Sequence, residues 1–221
     1  MYAASRILAT ALAVLLLVSL GGCRGRTPKE NSPAMMSQDF KTGKVGIAWF
    51  TQPTTTSALI TGQLPARQGK INPGMLSDLD GALARIFAAE SACRHISLPM
   101  PSSMPGISLH ESGSPQGLRT WLEVGRKAQV DLLVVPYIIH WQERDGGAAG
   151  VARGAAVKAE FHLLDVAGGR LIKHFIFEEE QVGLANNLLT AGKFFKRKAR
   201  WISAMELTQE GMRAAVKDFG L

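Results

Sequence analysis

The chain has 221 residues, a formal net charge of +7 and two cysteines. Once its amino-terminal segments are set aside, this length suits one domain with its own core rather than several domains. The excess of lysine and arginine favours acidic partners, and with two cysteines the fold must rest on burial rather than on a disulfide framework.

The first residues have the layout of a signal peptide. Arg6 supplies one positive charge, and residues 7–20 are uniformly apolar or small. A helix of about 14 residues reaches only about 21 Å, short of a hydrocarbon core of about 30 Å, so a transmembrane helix is disfavoured. An ordinary signal peptide followed by an incidental cysteine is the remaining alternative.

The tetrapeptide Leu20-Gly21-Gly22-Cys23 closes this segment and resembles the lipobox of bacterial lipoproteins. In that family a peptidase cuts before the cysteine, whose thiol carries a diacylglycerol, and the new amino terminus is acylated. The resemblance implies that residues 1–22 are removed and that Cys23 anchors the protein in a membrane, since several acyl chains hold stably. Inner-membrane lipoproteins usually carry aspartate at the next position. Arg24 there implies the outer membrane, on its periplasmic face.

Residues 23–43 predict a flexible linker between the lipid and the folded domain. They contain prolines, serines and glycine, few large apolar residues, and no period of 2 or 3.6. A coil of about 20 residues would hold the domain about 25 Å from the lipid. The domain itself is expected to span residues 44–221.

The first half of this domain predicts a strand, a helix, a short strand and a second helix. A β-rich run begins the series, and apolar residues at helical spacing follow the long loop after it. The four elements are expected at residues 44–50, 75–90, 94–98 and 118–128, with Ser114 as a candidate cap of the last.

The middle of the chain predicts an antiparallel meander. Residues 131–141 form a long apolar strand, in which Pro136 suggests a bulge or an edge. Strands at 154–166 and 170–177 follow, separated by the turn residues 167–169. The glycine-rich segment 146–154 lies between two strands and lacks the lysine and hydroxyl of a nucleotide loop. It is therefore interpreted as a hairpin tip rather than a phosphate loop.

Two helices are expected at residues 184–198 and 204–219, the second with Ser203 and Glu206 as a capping box. Between them lies a segment that interleaves cations with aromatic residues, from Lys193 to Trp201. Such a segment can bind phosphate groups or acidic protein surfaces. Alternatively, its aromatic residues pack onto the sheet while its cations face water, or pair with the acidic run 178–180.

The predicted partner-binding residues come from this segment and from the hairpin tip. They are Lys196, Arg197, Lys198, Arg200, Trp201, Gly147, Gly150 and Arg153. A lipid-anchored protein facing the periplasm meets no nucleic acid, so the expected partners are another envelope protein or an anionic envelope component. A second copy of the chain is an open alternative.

No metal, cofactor or catalytic residue is predicted. Cys93 is expected to be a buried thiol, and the scattered histidines, expected at the surface, match no zinc spacing. The acids and bases show no recognisable spacing of nucleophile, base and orienting group. The carboxylates considered were Glu143, Asp145, Asp165, Glu178, Glu179 and Glu180.

The order of these sequence segments along the chain is the basis of a second resemblance. The chain resembles outer-membrane lipoproteins with a domain of the CsgG, LpoB and TolB amino-terminal type. The segments that carry this resemblance are residues 131–141, Glu143-Arg144, the Gly/Ala hairpin, residues 161–166, Gly169-Arg170 and the basic-aromatic segment. The resemblance implies an α/β (α+β) fold, with helices packed on a mixed sheet that ends in an antiparallel meander. It also implies a non-catalytic assembly or regulatory protein of the cell envelope.

Two alternative functions remain open at this point. They are a periplasmic hydrolase that acts on the envelope through an unrecognised site, and a component of a secretion or transport complex. The chain lacks the long membrane-spanning hairpins of the curli secretion protein, so the resemblance does not extend to pore formation.

Overall fold

The computed structural model describes residues 43–100, 116–147, 150–182, 197 and 200–221. The predicted signal peptide, Cys23, Arg24 and the linker up to residue 42 lie outside these residues. So do Lys196, Lys198 and the helix predicted at 184–198, apart from Arg197. No helix of the described part combines the length and the apolar character that crossing a bilayer requires.

The described residues form seven strands and three helices. The strands are β1 (Val45–Ile47), β2 (His95–Ser97), β3 (Leu132–Gln142), β4 (Asp145–Gly146), β5 (Val151–Arg153), β6 (Ala156–Asp165) and β7 (Arg170–Glu180). The helices are α1 (Pro73–Glu90), α2 (Gly117–Lys127) and α3 (Ala204–Phe219).

Five strands make one mixed sheet in the order β2-β1-β3-β6-β7. β1 runs parallel to β2 and β3, while β3, β6 and β7 are antiparallel neighbours, as the predicted meander requires. β4 and β5 pair with each other as a separate hairpin between β3 and β6. With the three helices packed on this sheet, the predicted α+β fold is confirmed.

Local signals determine where α1 and α3 begin. The Asn72 side chain accepts a hydrogen bond from the backbone N–H of Gly74, and proline occupies the first position of α1. Ser203 and Glu206 form the predicted capping box of α3. α3 ends at Gly220, whose φ of 74° suits glycine. The predicted bounds of α3 are confirmed.

β3 separates two cores, one on each face of the sheet. Leu132 and Val134 point to one face, which α1 and α3 cover. Leu133, Val135 and Tyr137 point to the other face, which α2 and the segment after β1 cover. We call these the α1/α3 face and the α2 face. Burial on both faces explains why this strand is continuously apolar in the sequence.

Pro136 lies inside β3, between two neighbouring strands, so the predicted edge position is wrong. The register of β3 shifts later, between Ile138 and His140. The nitrogen of residue 136 faces β1, where regular pairing stops after the bond from Ala48 N to Val134 O and resumes as an isolated bridge at Thr51. The missing N–H therefore falls in a gap of the ladder.

α2 begins at Gly117, with Gln116 at the N-cap position, whereas the candidate cap Ser114 lies outside the described residues. Two backbone bonds fix this start: Gln116 N donates to Ser57 O at 2.9 Å, and Gly117 N donates to Leu59 O at 2.8 Å. A Cβ at residue 117 would lie 2.5 Å from the Ala58 carbonyl oxygen, so this close approach requires glycine.

Candidate functional site

The hairpin of β4 and β5 projects the predicted glycine tip into solvent. Asp145 pairs with Arg153 and Gly146 with Val151. Gly146 has a φ of 118°, and a Cβ there would lie 2.7 Å from the carbonyl oxygen of Gly150, so glycine suits the turn. Gly147, Gly150 and Arg153 are all exposed. The prediction of a hairpin here is confirmed.

The base of this hairpin lies against the segment that precedes α3. The Arg144 guanidinium donates a hydrogen bond to the carbonyl oxygen of Trp201, which is 57 residues away in sequence. The adjacent Glu143 carboxylate accepts from the backbone N–H of Ala204 at 3.1 Å. These bonds bring the two predicted partner-binding segments to one place.

A third bond fixes the same segment to the sheet. The Gln181 side chain is buried just after β7 and accepts a hydrogen bond from the backbone N–H of Ile202 at 3.1 Å. Because Ile202 is itself buried, the chain is anchored immediately after Trp201. Arg200, one residue before Trp201, remains on the surface: its side chain is 59% exposed, with one nitrogen 3.7 Å from Glu206.

Arg197 differs from the other predicted binding residues because its guanidinium contacts two carboxylates of the same chain. It lies 2.6 Å from Glu210 on α3 and 3.3 Å from Glu179 on β7. Burial by itself lowers the pKa of Arg197, but the hydrogen bonds and charges of Glu210 and Glu179 outweigh burial and raise it. The expected pairing of the acidic run with the basic segment therefore occurs within the molecule.

Five of the predicted partner-binding residues are exposed or half-buried, and we call them the hairpin surface: Gly147, Gly150, Arg153, Arg200 and Trp201. Arg197 is not included, because its guanidinium is paired with Glu179 and Glu210. Lys196 and Lys198 lie outside the described residues.

Several carboxylates considered as acids or bases have structural partners. Glu143 binds the start of α3, and Glu179 binds Arg197. Asp165 accepts from the backbone N–H of Gly168 at 2.8 Å and from the Arg170 guanidinium at 3.1 Å, which closes the turn between β6 and β7.

His162 departs from the surface location predicted for the histidines, whereas His95, His140 and His174 are half-buried and His110 lies outside the described residues. His162 is completely buried on the α2 face, and His174 is its direct partner on the neighbouring strand. Their rings are stacked, with centroids 4.5 Å apart. The turn alone could not have found this pair. The register beside it, with Asp165 opposite Arg170, would set His162 opposite Lys173, and a one-residue shift between Leu163 and Leu164 brings His174 there instead. Cys93 is a buried thiol, as predicted.

No family model and no curated protein matches the chain. Solved structures with a similar fold include the PelC dodecamer from Paraburkholderia phytofirmans, at 13% identity over 66% of this chain and 79% of that one, with a TM-score of 0.36. The hypothetical protein CT253 from Chlamydia trachomatis is 13% identical over 80% of this chain and 95% of that one, with a TM-score of 0.44.

Lipoprotein GNA1162 from Neisseria meningitidis is 8% identical over 71% of this chain and 97% of that one, with a TM-score of 0.33. One of the three similar structures is thus a bacterial lipoprotein, and one forms a dodecamer. Similarity at this level does not assign a function.

Proposed function

We propose that this protein is a lipid-anchored component of the bacterial cell envelope, and that its domain is a non-catalytic binding or regulatory module of the CsgG, LpoB and TolB amino-terminal type. The anchor is Cys23, and Arg24 directs the protein to the periplasmic face of the outer membrane. The support for this anchor is the lipobox-like sequence at residues 20–23.

The single observation that carries the binding role is the convergence of two distant segments. The hairpin tip and the basic-aromatic segment each suggested contact with a partner, and the Arg144–Trp201 and Glu143–Ala204 bonds join the base of the hairpin to the end of that segment. Cations and an aromatic ring on one exposed surface suit a partner that presents carboxylates or phosphates. The partner is therefore an acidic envelope protein or an anionic envelope component.

The anchor is tested by replacing Cys23 with serine. Without the thiol no diacylglycerol can be attached, so the protein is expected to move from the membrane fraction to the soluble periplasmic fraction. Fractionation and immunoblotting measure this, and the mass of the purified chain reports the acyl groups. Retention of the Cys23→Ser chain in the membrane fraction would contradict the proposal.

The binding surface is tested by the double change Arg153→Gln and Arg200→Gln in the Cys23→Ser chain, which carries no acyl group that would insert into vesicles by itself. Both side chains are exposed, so folding should be preserved, which circular dichroism checks. Capture of anionic vesicles, and of proteins from envelope extracts, should weaken by roughly tenfold if each charge contributes about 0.7 kcal/mol.

The matched control is the double change Arg94→Gln and Arg119→Gln. It removes the same charge from exposed arginines outside the hairpin surface. Equal loss of capture by the two double variants would indicate a general effect of net charge and would sink the assignment to the hairpin surface. Loss of vesicle capture alone would identify the partner as lipid, whereas loss of protein capture alone would identify it as an acidic protein.

A further inference from the structure

Three potential metal ligands meet on the α2 face, away from the hairpin surface. The strand register creates two adjacent rows across β3, β6 and β7: Tyr137 with Glu160 and Ile176, and Val135 with His162 and His174. Paired residues of neighbouring strands project to the same face. Glu160, His162 and His174 therefore converge, and their donor atoms all lie within 4.8 Å of one another.

One nitrogen of His162 has no hydrogen-bond partner. Its Nδ1 lies 3.3 Å from the Val135 carbonyl oxygen, which can only accept, so Nδ1 carries the proton. In the neutral ring, Nε2 then presents a lone pair. Within the part of the chain that the structure describes, Nε2 of His162 is the one buried side-chain polar atom without a hydrogen bond.

This lone pair lies 3.7 Å from a carboxylate oxygen of Glu160. Two electron-rich atoms facing each other in a buried site repel unless a positive group lies between them. Nε2 of His174 is hydrogen-bonded to the same Glu160 oxygen at 3.1 Å and not to His162, so among these atoms Nε2 of His162 is the one left unpaired.

The distances suit a transition metal. Tetrahedral Zn²⁺ with ligands at about 2.0–2.1 Å requires donors about 3.3 Å from each other. The two separations that involve Glu160, 3.1 and 3.7 Å, bracket this value, and the two imidazole donors lie within 4.8 Å of each other. Because the two rings are stacked, the half-buried His174 ring has to turn for both imidazoles to aim a nitrogen at one ion. Two imidazoles and one carboxylate favour Zn²⁺ and related ions over Mg²⁺ and Ca²⁺, which prefer oxygen ligands alone.

We propose that Glu160, His162 and His174 form a binding site for a divalent transition metal, with Zn²⁺ as the best match. The ion would join β6 to the edge strand β7 and would neutralise the electron-rich pair in the sheet. The His174 side chain is 23% exposed, and Ile176 beside it is 49% exposed. The site therefore opens towards solvent at this edge, which leaves a fourth position for water or for a donor from a partner.

The test is titration of the purified full-length chain, freed of metal with a chelator, with Zn²⁺ alone by isothermal calorimetry near neutral pH. One Zn²⁺ is expected to bind per chain, and Mg²⁺ should give no saturable heat. His174→Gln removes the most exposed ligand with little risk to folding, and it should weaken Zn²⁺ binding at least about tenfold. A chain that gives no saturable heat with Zn²⁺ refutes the site.

The control is His95→Gln, which removes a histidine from the opposite edge strand β2 and should leave Zn²⁺ binding unchanged. If His95→Gln weakens binding as much as His174→Gln, the metal lies elsewhere and the proposal fails. Thermal unfolding supplies a second readout: Zn²⁺ should raise the unfolding midpoint of the unchanged chain and of His95→Gln, but not that of His174→Gln. A midpoint raised equally in all three chains would also overturn the proposal.

Discussion

The two faces of the sheet bury side chains of different character. The α1/α3 face is filled by aliphatic and aromatic residues, among them Leu83, Phe161 and Leu207, which are at most 1% exposed. The α2 face has an apolar core as well, but it also buries Glu160 and His162 and the hydroxyl of Tyr137. On the α1/α3 side the strands bury apolar side chains, and the buried hydroxyl of Thr208 comes from α3, whereas on the α2 side the strands themselves bury polar groups that need partners.

The polar groups of the α2 face differ in how well they are satisfied. The Tyr137 hydroxyl accepts a hydrogen bond from the Trp121 indole at 2.6 Å and donates one to the Ala58 carbonyl oxygen at 3.0 Å. Burial raises the pKa of Tyr137, so this hydroxyl keeps its proton and its donor role. The hydrogen-bond network at Tyr137 is therefore complete, whereas the network at His162, in the neighbouring row of the sheet, is incomplete.

The largest expected effect comes from breaking the complete network. Tyr137→Phe keeps the ring but leaves the Trp121 N–H and the Ala58 carbonyl without the hydroxyl. Because both groups lose a partner in a buried site, the free energy of unfolding should fall by about 1–3 kcal/mol. Chemical denaturation followed by circular dichroism measures the change.

The matched control removes a buried hydroxyl from the α1/α3 face. Thr208 is fully buried, and its hydroxyl donates to the Ala204 carbonyl oxygen at 2.8 Å, within its own helix. That carbonyl also accepts the helical N–H bond, so Thr208→Val should change the free energy of unfolding by less than about 0.5 kcal/mol. Equal effects of the two changes would mean that the faces do not differ as described.

Local signals explain most of what the sequence predicted correctly about the fold. The bounds of α3 follow from Ser203, Glu206 and Gly220, which lie within or beside the helix they delimit. The β6–β7 hairpin follows from its turn, which lies between the two strands it joins. In contrast, the parallel pairing of β1 with β3 joins segments far apart in sequence, and no local pattern determines such pairing.

The candidate sites show the same limit. Gly147, Gly150 and Arg153 could be predicted as a hairpin tip, but the attachment of the hairpin base to Trp201 depends on the bond from Arg144 across 57 residues. The engagement of Arg197 with Glu179 and Glu210 likewise requires the packing of α3 against β7. Burial of His162 was missed because a histidine flanked by apolar residues does not reveal which face of its strand is covered.

The α1/α3 face has a carboxyl group at its margin, on α1. The Asp80 carboxylate accepts a hydrogen bond from the backbone N–H of Phe50 at 2.6 Å. Burial raises the pKa of Asp80 from 3.8 to about 6, although the Phe50 bond opposes this shift. The folded chain therefore holds a proton at Asp80 between these two pH values that the unfolded chain releases. Its stability falls as the pH rises through this range.

The smallest expected effect is that of Asp80→Asn. This change removes the charge of Asp80 but keeps a side-chain oxygen that accepts the hydrogen bond from the backbone N–H of Phe50. Above pH 6, where Asp80 is charged, the variant should be more stable by on the order of 1 kcal/mol, a value reduced for a half-buried group. Below pH 3.8 both chains carry a neutral group, so the difference should vanish. Denaturation midpoints across this pH range measure it. Asp78→Asn, an exposed change on the same helix, controls for the loss of one negative charge on α1. A destabilised Asp80→Asn at high pH would show that the charge itself supports the fold.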